Sequence, residues 1–298
     1  MRTCPLLSIQ LIGTDGSVWD LYRGLAPDGS VGVKLSDKGV VGLSTGTYTA
    51  QLATTAGADG QILQSWTENP RTVLLPVRFR NPDALSQAAF WRALSLYGPL
   101  GPYCTLRVID SLGVVRDLPL RFTDDGGVPL TKDPELTGND IYPIGFISDS
   151  AWWLGEEVVT AYSVSDAYSP PFFGDAGVGG PPFYIGESTG VEGAYVTNAG
   201  DVPAWLKIEA EGPLESFYLY VGSTLSLSFP NIVAVGHQVN IDTDPFVQYA
   251  EMDGNSVLRY FNSVDFRPIS PGETHLSLGV SGAGRIRARF RPRYRRAY

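Results

Sequence analysis

Short apolar runs recur along this chain with Gly, Pro, Asp or Asn between them. In the second half their spacing is about ten residues, which is the spacing of strands joined by tight turns in a two-sheet sandwich. The 34 Gly and 22 Pro among 298 residues supply the turn formers that such a fold needs. We therefore predict a mainly β protein, and its length favours about two domains.

Residues 1–160 are predicted to form a β domain with one helix. The predicted strands are Leu6–Ile12, Val18–Tyr22, Val31–Leu35, Gln61–Trp66, Arg71–Arg80, Cys104–Ile109, Val114–Phe122 and the aromatic-rich run Ile141–Leu154. Because Pro76 has no N–H to give to a ladder, we expect Arg71–Arg80 to be an edge or bulged strand.

The helix is predicted over Pro82–Tyr97, the one stretch with a helical rather than a strand pattern. Asn81 or Asp83 would cap its start, and Gly98-Pro99 would end it. Its apolar side is expected to comprise Leu85, Ala88, Ala89, Trp91, Leu94 and Leu96.

Residues 194–298 are predicted to form a β-sandwich. Its expected strands are Ala204–Ala210, Phe217–Val221, Thr224–Phe229, Gln238–Asp242, Val257–Phe261, Thr274–Val280 and a strand in the arginine-rich segment Arg285–Tyr298. Residues 161–193, which include the Pro- and Gly-dense stretch Ser169–Pro182, are expected to be a linker or insert.

The arginine-rich segment alternates in the manner of a strand. Ile286, Ala288 and Phe290 fall between arginines, so one side of the strand is apolar and the other cationic. Pro292 would end the strand or place it at a sheet edge. The cationic side is a candidate assembly interface made of Arg285, Arg287, Arg289, Arg291 and Arg293.

The charge balance restricts the partners of this cationic side. The chain carries −9 overall even with its arginine-rich segment, and an acidic surface binds nucleic acid poorly. Arg is suited to bidentate pairing with carboxylates, which acidic proteins provide. We favour a protein partner over a merely solvated strand surface, and we expect no specific binding of nucleic acid.

Patterns typical of catalysis are weak. Gly186–Gly190 fits the G-x-S-x-G pattern around Ser188, with His237 or His275 as a conceivable base, but no helical pattern follows it. A Gly-rich turn is the better interpretation, and we predict that the protein is not an enzyme. Glu273 with His275 lacks a third zinc ligand, and the acidic turns at Asp242–Asp244 and Asp124-Asp125 do not match the EF-hand loop. We expect neither metal nor cofactor.

Aromatic residues on the predicted strands leave saccharide binding open. Sugars stack on exposed aromatic rings beside polar groups, and Trp205, Tyr218 and Tyr220 are candidates, as is Trp152-Trp153. The alternative is that these rings belong to a core or an interface, as strand aromatics commonly do.

Nothing in the sequence indicates insertion into a membrane. The apolar runs are much shorter than the roughly 20 residues of a transmembrane helix, and the N-terminal segment does not match a signal peptide. Cys4 and Cys104 lie far apart and are expected to be small buried or half-buried residues, consistent with folding in a reducing cytoplasm.

Three motifs in the second half carry a family resemblance through their order. Asn198–Ile208 contains an N-x-G-D-x-P turn before a strand, Val239–Thr243 has the form V-x-I-D-T, and Ile269–Gly272 is a Pro-Gly turn before the last hairpin. In this order they resemble the distal tail proteins of siphophages and the related minor tail proteins. Ile269 stands where that family has leucine.

The resemblance implies a structural role in a virion. Distal tail proteins form a hexameric ring in which the N-terminal domain builds the ring and a galectin-like sandwich projects outward. The implied partners are further copies of the chain, the tail tube protein, the tail hub and other tail-tip proteins. The implied location is the virion tail tip, after synthesis in the host bacterial cytoplasm. In such a ring the arginines would meet a protein partner or, as a less favoured alternative, face the lumen where DNA passes.

Overall fold

The computed structural model of the protein describes residues 8–36, 39–44, 46–54, 57, 59–79, 84–95, 103–124, 141–163 and 192–298. Within these residues the protein is mainly β, as predicted. The chain divides into two compact units, Met1–Glu156 with Tyr294–Tyr298, and Glu157–Arg293. It therefore leaves the first unit, builds the second, and returns to the first. Most of the predicted linker, residues 164–191, lies outside the described residues.

The first unit is built around one large antiparallel sheet. Its strands follow the order β2-β1-β7-β8-β9-β6-β3, with β10 pairing beside β8, while β4 and β5 form a separate hairpin. The strands are β1 (Ser8–Ile12), β2 (Val18–Asp20), β3 (Val33–Leu35), β4 (Tyr48–Ala53), β5 (Ile62–Glu68), β6 (Arg71–Phe79), β7 (Cys104–Ile109), β8 (Val115–Asp124), β9 (Ile141–Ser148) and β10 (Trp153–Leu154).

The prediction that Pro76 makes its strand an edge or bulged strand is wrong. β6 is an interior strand that pairs with β9 on one side and β3 on the other. The carbonyl of Pro76 accepts a 2.7 Å hydrogen bond from the N–H of Ser36, just past the end of β3. The N of Pro76 therefore also points toward β3 rather than β9. The sheet therefore loses one hydrogen bond from position 76 toward β3, at a point where β3 has already ended.

The helix is confirmed, but its predicted apolar side is only partly correct. Helix α1 spans Ala84–Ser95, and its predicted caps lie outside the described residues. Leu85 is 79% exposed, whereas Phe90 and Ala93 are completely buried. The ring of Phe90 packs edge-on against Trp19 at 5.1 Å and Phe79 at 5.6 Å. Packing against the large sheet thus determines which side of α1 is buried, and the apolar periodicity of the sequence predicted that side only in part.

The core of the first unit joins the sheet, helix α1 and the last residues of the chain. Cys104 lies in this core, and its Sγ faces the carbonyl oxygens of Ala93 and Leu94 at 3.7 and 3.6 Å. Burial raises the pKa of the Cys104 thiol to about 11, so the thiol stays protonated at neutral pH. The prediction of a buried cysteine holds for Cys104, while Cys4 lies outside the described residues.

The second unit contains two antiparallel sheets that enclose one core. The larger has the order β11-β21-β13-β16-β17-β18, and the smaller has the order β12-β20-β14-β15-β19. Ile208 and Ile286 from the larger sheet meet Leu219 and Leu278 from the smaller in a single apolar cluster. The strands are β11 (Val158–Ser163), β12 (Glu192–Asn198), β13 (Lys207–Glu211), β14 (Ser216–Val221), β15 (Thr224–Phe229), β16 (Gln238–Asp242), β17 (Tyr249–Met252), β18 (Asn255–Ser256), β19 (Ser263–Val264), β20 (Gly272–Ser281) and β21 (Arg285–Phe290), and β22 (Arg293–Tyr294) follows.

One strand predicted for the second unit is a turn. Val257–Phe261 contains a 3₁₀ turn, Leu258–Tyr260, in which the N–H of Tyr260 donates to the carbonyl of Val257 at 2.9 Å. Val257 is buried, and the Phe261 ring lies 4.9 Å from that of Phe229. Val257 and Phe261, four positions apart, therefore both reach the core from a turn. In the sequence, this spacing of apolar residues could not be distinguished from that of a short strand.

The last residues of the chain are fixed to the first unit by a buried arginine. Arg71 is 3% exposed, and its guanidinium donates to the main-chain carbonyls of Gly42, Ser44, Ala151 and Arg295. Burial lowers the pKa of Arg71, and the nearby Glu68 carboxylate opposes that shift. Beyond it, Ala297 is buried in the core, and its N–H donates to the carbonyl of Leu43 at 2.9 Å.

Replacing Arg71 with alanine is expected to destabilise the first unit strongly. The change leaves buried carbonyls without donors and frees the returning segment, at a cost of about 3 kcal/mol in the free energy of unfolding. Arg78 lies on the same strand with an exposed side chain, and Arg78→Ala should cost less than about 0.5 kcal/mol. Urea unfolding followed by tryptophan fluorescence measures both. Equal costs for the two variants would contradict the role given to Arg71.

Candidate functional site

The arginine-rich segment forms an interior strand with the predicted alternation. In β21, Ile286, Ala288 and Phe290 are buried, while Arg285 is exposed and Arg287 is half-buried. The strand pairs with β11 on one side and β13 on the other. β21 ends at Phe290, two residues before Pro292, so the proline ends the strand and does not make it an edge.

Glu209 of the neighbouring strand β13 pairs with two of these arginines. Arg287 is its register partner, and the Arg287 Nη1 atom lies 3.3 Å from Glu209 Oε2. Arg289 Nη2 lies 2.6 Å from Glu209 Oε1, and Arg289 Nε lies 3.9 Å from Glu157 Oε1. Much of the positive charge that we assigned to an assembly interface is therefore matched within the second unit.

The remaining arginines of the predicted interface are in different surroundings. Arg293 forms a close ion pair with Asp244, and Arg291 is half-buried beyond the end of β21. Arg285 is exposed at the start of the strand, where Glu211 is its register partner on β13. Arg285 is thus the residue of the set best placed to meet another molecule, and the assembly role of the arginines stays a prediction.

Neutralising Glu209 is expected to destabilise the second unit. Glu209→Gln removes the carboxylate shared by Arg287 and Arg289 and should cost about 1 kcal/mol of unfolding free energy, because the pairs are partly exposed. Glu211→Gln, two residues along the same strand and exposed, is the matched control and should cost less than about 0.5 kcal/mol. Chemical denaturation at low and high salt measures both. A cost for Glu209→Gln no larger than the control's would contradict this pairing.

The aromatic residues proposed for sugar stacking do not form one group. Tyr218 and Tyr220 are neighbours on β14, with ring centroids 5.7 Å apart. Trp205 precedes β13, in the other sheet of the unit. Trp153 is completely buried in the core of the first unit, so it cannot act as a stacking surface.

Tyr218 also has a structural task. It is the register partner of Gly279 on β20, and a Cβ placed on Gly279 would lie 1.9 Å from Cζ of Tyr218. The ring of Tyr218 therefore covers Gly279 and supplies the packing that a glycine in a strand cannot provide by itself. This contact favours the interpretation of Tyr218 as a packed sheet residue.

The sequence analysis missed a more exposed ring in the same sheet. Tyr195 on the edge strand β12 is 70% exposed, and its ring lies 4.8 Å from that of its register partner His275. His275 Nδ1 is 3.0 Å from the Oγ of Ser277, which is the register partner of Tyr220. Tyr195, His275, Ser277 and Tyr220 thus form a row of aromatic and polar groups across three strands. Only knowledge of the strand register could have brought them together.

The three motifs behind the family resemblance form one hydrogen-bonded clamp. The Asn198 side-chain amide donates to the carbonyls of Val202 and Ile269 at 3.1 and 2.9 Å. Thr243 exchanges side-chain hydrogen bonds of 2.9 Å with the main chain of Leu206. Ala204 and Ile269 bridge as an isolated β pair. These motifs are structural, because they tie three distant turns together.

Acidic turns and histidines considered for metal binding are engaged in protein contacts. Asp242 pairs with Lys207 at 3.0 Å, Asp244 with Arg293, and His237 with Asp253. Over the part of the chain that the structure describes, no group of three His, Cys, Asp or Glu side chains could hold a metal ion. Ser188 and Asp125 lie outside that part. None of the described helices has the length and apolar character to span a bilayer.

The hairpin of β4 and β5 exposes large apolar side chains that the sequence analysis did not single out. Ile62 and Leu63 are consecutive in β5 and so point to opposite sides of the hairpin, yet they are 69% and 54% exposed. Tyr48, Leu52 and Trp66 are also about half exposed or more. The β4 strand was missed because TYTAQLA has few large apolar residues and no clear alternation.

The fold has relatives among phage tail proteins of known structure. No protein-family model and no curated protein sequence matches the chain. Among solved structures, the Dit (gp 19.1) protein of phage SPP1, described as a paradigm of the hub adsorption apparatus in Gram-positive infecting phages, is similar with a TM-score of 0.58 and 14% identity over 96% of this chain and 98% of that one. A chain of the phage p2 baseplate in its activated conformation with Sr is similar with a TM-score of 0.50 and 13% identity over 95% and 97% of the chains. The chain has the fold of these hub and baseplate proteins.

Proposed function

We propose that the protein is a structural component of the tail tip of a long-tailed bacteriophage. In this role it forms a ring at the distal end of the tail tube and connects the tube to tail-tip or baseplate components. The observation that carries the proposal is the fold likeness to a phage hub protein over nearly the full length of both chains. The ordered motifs at Asn198, Thr243 and Ile269 support it independently.

The exposed hairpin of the first unit supports assembly into a ring. An isolated two-stranded hairpin is marginal in water, because it buries too little apolar surface to offset its ordering entropy. No residue of β4 or β5 is buried, and among the residues that the structure describes these two strands pair only with each other. Packing of this hairpin against a neighbouring copy would bury Ile62 on one side and Leu63 on the other. We propose a homohexamer assembled through this contact.

The same proposal covers location, partners and chemistry. The protein would reside at the virion tail tip after synthesis in the host bacterial cytoplasm, in contact with the tail tube protein, the tail hub and other tail-tip proteins. It would act without catalysis, cofactor, specific nucleic-acid binding or membrane insertion. The two fold relatives are themselves described as hub and baseplate proteins.

Polar substitutions in the hairpin of β4 and β5 are expected to dissociate the ring into monomers. The wild type should scatter light as a species near six times 32.2 kDa, and Ile62→Ser with Leu63→Ser should yield a monomer whose unfolding free energy changes by less than about 0.5 kcal/mol. Leu112→Ser, at an 81% exposed site in another loop of the first unit, is the matched control and should leave the mass unchanged. Light scattering over a range of salt measures all three.

Three outcomes of light scattering would contradict parts of the proposal. A hexamer that survives both hairpin substitutions would exclude the hairpin as the ring contact. Loss of the hexamer in Arg285→Glu, which leaves the pairs to Glu209 in place, would assign the contact to the arginine strand instead. A wild type that stays monomeric even when mixed with tail tubes would contradict ring formation itself.

A second candidate function is saccharide recognition in host binding. The observation that favours it is the row formed by Tyr195, His275, Ser277 and Tyr220 on the smaller sheet. An exposed ring beside imidazole and hydroxyl groups has the chemistry that stacks on a pyranose and bonds to its hydroxyls. The row replaces Trp205 and Tyr218 as the best candidate stacking surface.

A glycan array tests this second function. If the row binds sugar, the wild type should bind a defined set of glycans, and Tyr195→Ala should lower that signal by about tenfold through loss of the stacking surface. Tyr48→Ala is the control, because Tyr48 is 67% exposed in the first unit and lies outside the row. Absence of binding by the wild type, or equal loss in both variants, would exclude the row as a saccharide site.

A further inference from the structure

The segment that returns to the first unit, Tyr294–Tyr298, contacts the chain at both ends of the β4–β5 hairpin. Before the hairpin, the carbonyl of Leu43 accepts a 2.9 Å hydrogen bond from the N–H of Ala297. After it, the Arg295 Nε atom lies 3.2 Å from Oε1 of Glu68, the last residue of β5. The returning segment is therefore placed to control how the hairpin leaves the first unit.

The Arg295 guanidinium lies over two tryptophan rings beside this carboxylate. Its Cζ atom is 5.7 Å from the ring centroid of Trp66 and 6.0 Å from that of Trp152. At these distances the face of an aromatic ring attracts a cation. Trp66 and Glu68 are two positions apart in β5, so they lie on the same side of the hairpin. We refer to Trp66, Glu68 and Trp152 as the guanidinium site.

The carboxylate of the guanidinium site depends on Arg295. The Glu68 side chain is only 9% exposed, although it belongs to an otherwise exposed strand. Its second oxygen, Oε2, is buried, and among the described residues no group bonds to it. The nearby Arg71 guanidinium is engaged with main-chain carbonyls. A buried carboxylate that loses its ion pair is costly, so without Arg295 the Glu68 side chain would turn toward water and the end of β5 would shift with it.

The main chain of Arg295 is fixed independently of its side chain. Its carbonyl accepts a 3.0 Å hydrogen bond from Nη2 of Arg71, and Ala297 beyond it is buried in the core. The Arg295 side chain therefore extends from a fixed point to the hairpin and restricts the orientations that the hairpin can take. Such restriction before association lowers the entropy cost of binding.

We infer that Arg295 is a latch that holds the hairpin in the orientation needed for ring assembly. This inference rests on the proposed function, in which the hairpin is the ring contact. A closed ring requires every copy to present its contact in the same orientation. With Arg295 in the guanidinium site, the hairpin presents Ile62 and Leu63 in one orientation. With Arg295 removed, the hairpin takes many orientations and the ring does not close. Arg295 is thus a positioning residue for assembly.

Hydrogen exchange of the hairpin tests the latch. The full chain carrying Ile62→Ser and Leu63→Ser is the background, because exchange in the hairpin then reports the latch without the proposed ring contact. Adding Arg295→Ala should make the amides of β4 and β5 exchange about tenfold faster and leave the core strand β7 unchanged. Unchanged exchange in the hairpin would overturn the latch. Equal acceleration in β7 would also overturn it, because Arg295 would then act on overall stability.

The matched control for this exchange experiment is Arg296→Ala. Arg296 is the next residue along the chain and is exposed, and its main-chain carbonyl accepts a 3.1 Å hydrogen bond from Arg116 whichever side chain it bears. Hairpin exchange in this variant should stay within about twofold of the background. An acceleration equal to that of Arg295→Ala would overturn the specific role of the Arg295 side chain.

Chemical rescue tests the guanidinium site itself. Millimolar methylguanidinium should occupy the site in Arg295→Ala and return hairpin exchange to within about twofold of the background, because a planar cation can bond to the carboxylate and stack on the rings. Adding Glu68→Gln should abolish the rescue. Failure of methylguanidinium to slow the exchange, or an equal effect of sodium chloride at the same ionic strength, would overturn the assignment of the site.

Light scattering on the otherwise wild-type chain separates this inference from the proposed function. Arg295→Ala should lower the fraction of hexamer by about tenfold, and methylguanidinium should restore it. A hexamer that persists in Arg295→Ala while hairpin exchange accelerates would overturn the control of assembly and leave the ring standing. A wild type that stays monomeric with tail tubes would contradict the ring, whereas hairpin exchange would still decide whether Arg295 holds the hairpin.

Discussion

The first unit depends on one buried guanidinium. Arg71 gathers carbonyls from three separated stretches of main chain, at Gly42 and Ser44, at Ala151 and at Arg295. A planar group with several fixed donors can do this, whereas a lysine offers one point charge. The strand that bears Arg71 is interior, so the guanidinium joins loops and the returning chain segment to the large sheet. The hairpin of β4 and β5 leads directly into that strand.

In the second unit an equivalent task falls to uncharged side chains. The clamp of Asn198 and Thr243 binds turns that are far apart in sequence, and it explains why the order of the motifs carries more information than any motif alone. Each residue type was readable as a local turn former. Their shared role becomes visible only in the structure, where the carbonyl of Ile269 accepts a hydrogen bond from Asn198 and the N–H of Leu206 donates one to Thr243.

Most strands and the helix could be predicted because period and turn residues are local properties of the chain. What failed depended on distant partners. The buried side of α1 was set by Trp19 and Phe79, and the interior position of β6 by the place where β3 ends. The cationic strand was recognised, but its carboxylate, Glu209, became evident only through register. The exposed hairpin was missed because strand β4 lacks the alternation of a half-buried strand.

Because residues 294–298 belong to the first unit, the second unit can be completed before the first during synthesis. Residues 157–293 leave the ribosome as a continuous stretch and can fold as soon as they emerge. The first unit, by contrast, waits with the carbonyl partners of Arg71 incomplete until residues 294–298 follow. Any chain cut short before Tyr294 would therefore carry a finished second unit on an unfinished first one. If the first unit builds the ring, only chains translated through these residues would be competent to enter it.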